Sequence, residues 1–244
     1  MAQYGFGTGV LYGTRTDIPG ATPIRFGVLQ DISIDFNGEI KDLFGQYQFP
    51  VDSARGKTKI SGKAKNAVIN AGQFNNLFFG QTAGTGQRKS VTNEAQTVGS
   101  TGTVTVANGS TFNLDLGVTY AATGVPLQFT VGAPSQAGQY SVNTATGQYT
   151  FYSSDEGANV LIDYLYTATT GTIIEGVNLL MGTTPRFTAV FTQSYAGAQT
   201  VLKLYSCTSS KLTITTKIDD YTIPELDFSA FANSGGQVFE LSTS

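Results

Sequence analysis

The sequence predicts a mainly β protein: a sandwich or partly closed barrel with one short α-helix and an inserted β-rich segment. Three observations lead there. Apolar and polar residues alternate at period two along much of the chain. Glycine is abundant, at 29 residues, and it sits with Thr, Ser and Asn between the alternating runs, where turns need it. Charged residues make up only 13% of the chain beside 16 Phe and 12 Tyr, a balance that separates it from charged, aromatic-poor disordered chains. At 244 residues the chain suffices for one large β domain or two small ones, and either buries a core without a metal or disulfide staple.

The elements follow in order. Even positions from Ile24 are Ile24, Phe26, Val28, Gln30, Ile32, Ile34 and Phe36, which predicts one long strand over 24–36 with a buried face. Asn37 and Gly38 signal a turn, and 37–56 reads as a long excursion containing Pro50 and ending at Gly56. A second strand is expected at 57–65, with Thr58, Ile60, Gly62 and Ala64 on one face and Lys57, Lys59, Lys63 and Lys65 on the other. Ala67, Ala71, Phe74, Leu77 and Phe78 share a helical face, so 67–79 predicts the helix, stopped by Gly80.

Charge marks the middle of the chain. No Lys or Arg occurs between Lys89 and Arg186, while Glu94, Asp115, Asp155, Glu156, Asp163 and Glu175 give that stretch −6; with −3 overall, the remainder carries +3. An inserted subdomain is therefore expected at 95–167, bounded by polar stretches at 84–90 and 167–172, with the β core formed by 1–94 and 168–244. Within it, 138–152 reads as a hairpin turning at 143–146, and 159–166 as a strand with Val160, Ile162, Tyr164 and Tyr166 on one face. The last part alternates again through Phe187, Ala189, Phe191, Leu202, Leu204, Leu212 and Ile214.

Chemistry is sparse. The chain has no histidine, so no Ser-His-Asp triad, Cys-His dyad or His-ligated zinc can be built from it. The single cysteine, Cys207, reads as a small buried hydrophobe. Gly5-Phe6-Gly7-Thr8-Gly9 lacks the strand and helix of a dinucleotide loop, and reads as a flexible arm. The segment 84–90 ends in Lys89-Ser90 like a phosphate loop, but Arg88 replaces the glycine, and it follows a helix; a solvated loop is expected. Asp155, Glu156 and Asp163 invite a glycosidase reading, yet nothing places two acids across a cleft, and Asp155-Glu156-Gly157 has turn composition. No catalytic, cofactor or metal site is expected. Residues 1–7 show no basic and apolar leader, and no apolar run is long enough to span a bilayer, so synthesis in a cytoplasm is expected, with no membrane partner.

The lysine row supports two readings: a solvated face, or a face paired with acids of a neighbouring strand or subunit, giving register and specificity. Acids at Asp31, Asp35, Glu39, Asp42 and Asp52 are near in sequence. DNA binding is a third reading, weakened because aromatic residues do not interleave with the lysines.

The order of long strand, extended excursion, strand, helix and further strands resembles the major tail tube proteins of long-tailed, non-contractile bacteriophages. The residues that carry the likeness are 24–36; Asp42-Leu43-Phe44-Gly45 and Phe49-Pro50-Val51 within 37–56; Lys57-Thr58-Lys59-Ile60-Ser61-Gly62-Lys63; and, near the end, Leu202-Lys203-Leu204-Tyr205, Lys211-Leu212-Thr213-Ile214 and 224–232. The middle segment fits less well, and its expected place is the outside of a tube. The resemblance implies a structural virion protein, made in a host bacterium and residing in the virion tail. Six copies would form a ring, and rings would stack head to tail into a homo-oligomeric conduit through which double-stranded DNA passes without sequence reading. Tape measure, tail tip and terminator proteins are the implied partners. It further implies that the loop carrying Asp42, Leu43, Phe44, Tyr47, Phe49 and Val51 reaches the adjacent ring, that Lys57, Lys59, Lys63 and Lys65 lie at a subunit interface, and that Asp31, Asp35 and Glu39 face the lumen. Two other classes stay open: a capsid or tail decoration protein, and a carbohydrate-binding β-sandwich module presenting Tyr140, Tyr149 and Tyr152.

Overall fold

The structure, a computed structural model, describes residues 4–244; the start of the chain read above for a leader lies partly outside the described residues. Strands β1 (Val10–Arg15), β2 (Ile24–Arg25), β3 (Leu29–Phe44) and β4 (Pro50–Asn66) come first. The helical segment α1 (Ala71–Phe74) runs into a π turn, Asn75–Phe79. Then come β5 (Ala83–Thr97), β6 (Thr103–Thr105), β7 (Phe112–Tyr120), β8 (Gln128–Phe129), β9 (Gln139–Asn143), β10 (Gln148–Phe151) and β11 (Asn159–Ile174). The chain ends with β12 (Phe187–Tyr195), β13 (Ala198–Thr213), β14 (Glu225–Phe231) and β15 (Phe239–Thr243). The protein is mainly β, with one short helix, as its period-two patterning requires.

Two compact units divide the chain. The first joins the residues up to Ala83 with Ile174–Ser244; the second is Gly84–Ile173. Expected borders at 95 and 167 thus differ from observed ones at 84 and 173. The polar stretches 84–90 and 167–172 are not loops: they fall in β5 and β11, which neighbour each other in one sheet. Two weakly apolar segments can still be strands, because each satisfies the other's backbone groups.

The first unit is one eight-stranded sheet in the order β2-β1-β12-β13-β14-β4-β3, with β15 also paired to β13. Register places one row of apolar side chains on a single face. Leu226 faces Ala64, which faces Ile32; Phe228 faces Gly62, which faces Ile34. Ala189 faces Leu204, and Phe187 faces Cys207. Leu226, Ala64, Phe228, Ala189, Leu204, Phe187 and Cys207, with Leu11, Phe26, Leu29, Ile60 and Leu202, belong to one buried cluster, and Ile32 and Ile34 pack half-buried against it. The sheet curls, since Thr8 Oγ1, just ahead of β1, donates to the Leu29 carbonyl of β3 at 2.9 Å. No sheet among the described residues closes into a barrel.

Two local expectations need correction. The strand over 24–36 is interrupted between Arg25 and Leu29. Phe26 and Leu29 are buried while Val28 is exposed, so the inward parity switches there. The break is held by Asn66, whose side chain accepts from Val28 N and donates to the Val68 carbonyl and Gln73 Oε1. The helix is also shorter than 67–79. It starts after Asn70, whose side chain accepts from Gln73 N at 3.1 Å, as an N-cap does. Ala67 instead donates its N–H to the Val28 carbonyl, and Ala71 is exposed. Phe74 and Leu77 do face the core, and Gly80 ends the segment at φ +65°.

The second unit packs two sheets, β5-β11-β7 and β6-β10-β9-β8, around a separate core. Val118, Val160, Ile162 and Tyr164 come from one sheet, and Val104, Tyr140, Tyr149 and Phe151 from the other. The hairpin forms as β9 and β10, with Tyr149 facing Val142 and Gly147 donating to the Asn143 carbonyl at 2.8 Å.

Candidate assembly surfaces

The excursion is not a loop but the outer half of a two-stranded ribbon. β3 and β4 stay paired from Leu29–Asn66 out to Phe44–Pro50. Every residue from 35 to 59 is exposed. From the Phe36–Ile60 pair to the tip the ribbon extends about 25 Å, at about 3.3 Å per residue. An isolated ribbon of this length has no apolar face to bury, yet its end carries Leu43, Phe44, Tyr47, Phe49 and Val51, all exposed, with Phe49 at 81%. Soluble surfaces seldom concentrate large apolar side chains in this way without a partner. Asp42 and Asp52 flank the tip, facing Ser53 and Leu43 across the ribbon.

The lysine row lies on the outward face of the same strands, with acids on both neighbours. Register sets Asp31 beside Lys65 beside Glu225, then Ser33 beside Lys63 beside Asp227, then Asp35 beside Ser61 beside Ser229. Lys211 of β13 follows Asp227. Lys63 Nζ reaches Glu225 at 2.9 Å and Asp227 at 3.9 Å; Lys65 Nζ reaches Asp31 at 3.4 Å. The Glu225 hydrogen bond, with the Asp227 charge, raises the Lys63 pKa, and Lys63 in turn lowers that of Glu225. Two of the four row lysines are therefore paired within the chain. Lys57 and Lys59 are exposed farther out on β4, Lys59 facing Asn37. Among the acids suggested for a lumen, Asp31 is paired with Lys65, Glu39 lies 4.0 Å from Lys41, and Asp35 faces Ser61. The face thus alternates in sign and has no one-sided field. Sequence reasoning missed Glu225, Asp227 and Lys211, although Glu225-Leu226-Asp227-Phe228 alternates as plainly as β4 does.

Three of the five carboxylates of the second unit, Glu94, Asp115 and Asp155, accept tyrosine hydroxyls. Asp115 accepts the hydroxyls of Tyr140 at 2.6 Å and Tyr149 at 2.8 Å. Asp155 accepts from Tyr120 at 2.7 Å and from Gly138 N; Glu94 accepts from Tyr164 at 2.6 Å and from Ala107 N. Burial, reinforced by the Asp155 bond, pushes Tyr120 up to about 12, and the same causes with Asp115 raise Tyr140 and Tyr149 further. Asp155, buried and bonded, and Asp163, accepting from Asn93 N, offer no facing acid pair across a cleft. Tyr140 and Tyr149 are 3% and 0% exposed, so neither can present a ring to a sugar.

Cys207 is fully buried, and burial pushes its thiol up to about 12. Among the described residues no group of three His, Cys, Asp or Glu side chains is placed to hold a metal ion, and no helix is long and apolar enough to cross a membrane. A further surface escaped sequence reading: a cavity of about 640 Å³ in the first unit, lined by Arg186, Thr188, Lys203, Tyr205, Phe231 and Asn233 among others. Arg186 lies 5.4 Å from the centre of the Phe231 ring, and Lys203 Nζ lies 4.5 Å from that of Tyr205. Compared with known proteins, the chain matches no family model and no curated sequence.

Proposed function

We propose that this protein is the major tube subunit of a long-tailed bacteriophage tail, polymerising as stacked hexameric rings that conduct DNA. The observation that carries this reading is the outer half of the β3–β4 ribbon, exposed from residue 35 to 59 and tipped with five large apolar side chains. Such a tip has one physically reasonable fate, burial in another molecule. Because tip and receptor are different surfaces, the contact is heterologous and extends into a filament or closes into a ring. The outward face of β3, β4 and β14, with its alternating charges, supports a register-setting role and lacks the basic field that would hold passing DNA. Tape measure, tail tip and terminator proteins are the partners this reading implies.

The test is negative-stain electron microscopy of concentrated full-length protein, with and without residues 42–50. Hollow tubes with a regular axial repeat are expected from the intact chain, and folded, unassembled protein from the deletion. Normal tubes from the deletion would remove the ribbon from the stacking contact.

A further inference from the structure

We propose that the cavity beside Arg186 and Lys203 is the receptor for the ribbon tip of a second copy of this chain, Asp42 and Asp52 meeting its two cations. This rests on the tube reading and names the two surfaces that join.

The cavity is cationic and aromatic at once. Arg186 and Lys203 line it, each held over a ring that also lines it. Neither enters an ion pair among the described residues. Two acids belong to the site: Asp17, which lines it and is paired with Arg15, and Glu240, which faces Lys203 across the strands and keeps its charge while accepting the Tyr205 hydroxyl. Lys63 and Lys65 of β4 differ in that each is within 4.0 Å of a carboxylate. With Arg15 and Asp17 cancelling and Glu240 offsetting one of the two cations, Arg186 and Lys203 leave the site a net charge of +1 (three basic side chains against two acidic).

The tip has the complementary chemistry. Residues 42–54 contain Asp42 and Asp52 and no basic residue. Between the two acids lie Phe44, Tyr47 and Phe49, exposed and able to pack beside Phe231 and Tyr205. A volume of about 640 Å³ holds several side chains. Opposite charges at such a contact select orientation, and the apolar tip supplies the burial. One tip and one cavity on every copy make a head-to-tail contact that repeats without limit.

Charge reversal tests it in the full-length chain. Arg186→Glu/Lys203→Glu, Asp42→Lys/Asp52→Lys and the combined quadruple variant are compared with the intact protein by sedimentation and electron microscopy, with circular dichroism and thermal melts reporting folding. Each double variant should raise the concentration needed for assembly about a hundredfold, and the quadruple variant should restore it to within about tenfold of the intact protein. If Arg186→Glu/Lys203→Glu misfolds, Arg186→Gln/Lys203→Gln replaces it, with a smaller loss expected. Normal assembly of the cavity variant, with assembly lost on deleting residues 42–50, overturns the receptor and leaves the tube reading standing. Both doubles defective with no recovery in the quadruple overturns the pairing alone. An intact chain that stays monomeric at every concentration overturns the tube reading and the receptor with it; a deletion variant that forms normal tubes overturns the receptor alone.

Discussion

Asp115 shows how much rests on single side chains. Two hydroxyls of buried tyrosines from the facing sheet converge on its half-buried carboxylate. Asp115→Ala takes the acceptor from both hydroxyls, which should cost about 2–6 kcal/mol in urea unfolding, since an orphaned buried polar group costs about 1–3 each. The same tyrosines make stability depend on alkaline pH. An unfolded tyrosine ionises near pH 10, whereas Tyr120 is raised to about 12, and Tyr140, Tyr149 and Tyr164 are also raised. The folded state therefore keeps protons that the unfolded state gives up. Their stabilising contribution is complete below about pH 10 and is lost as pH rises from about 10 through the raised folded values. Urea midpoints measured between pH 8 and 12 should hold steady and then fall, and Tyr120→Phe should weaken the fall. A midpoint independent of pH up to 12 would mean the hydroxyls are not held as described.

At the scale of the element, Gly62 explains why β4 can cross the core. It faces Phe228 in register, and a Cβ built on it would lie 2.2 Å from the Phe228 ring. The ring lies flat on the space a side chain would fill, a packing that a glycine opposite an aromatic residue permits. Gly62→Val should therefore destabilise the first unit by about 1–3 kcal/mol, read from its thermal or denaturant unfolding, because the ring must leave its rotamer. The ribbon beyond Ile60 obeys different physics. It has no core contact to set its residues, so its apolar tip is free of folding constraint and available for a partner.

At the scale of the whole molecule, the second unit has its own core, and its two ends meet: a Cβ on Gly84 would lie 3.8 Å from the Ile173 carbonyl. Residues 84–173 expressed alone should unfold in one cooperative transition, and replacing them with a short Gly-Ser linker should leave the first unit folded. Loss of cooperative melting in the excised first unit would show that the two cores are one. The basic residues that fail to appear between Lys89 and Arg186 already hinted at this division. Its borders did not, because Gly84, Gly86 and Gly171 read as loop residues until their strands are seen side by side.

The sequence by itself determined the β class, the two lysine and apolar faces of β4, the hairpin of β9 and β10, and the buried stripe of β11. All of these are local: period-two alternation and turn residues act within a few positions along one strand. The tertiary structure alone decided which acids meet the lysines, that the excursion is a paired ribbon, that Tyr140 and Tyr149 point inward at Asp115, and that Arg186 and Lys203 share a cavity. Each of these joins residues far apart in the chain, and strand order and register, which depend on how all the apolar faces pack at once, bring them together.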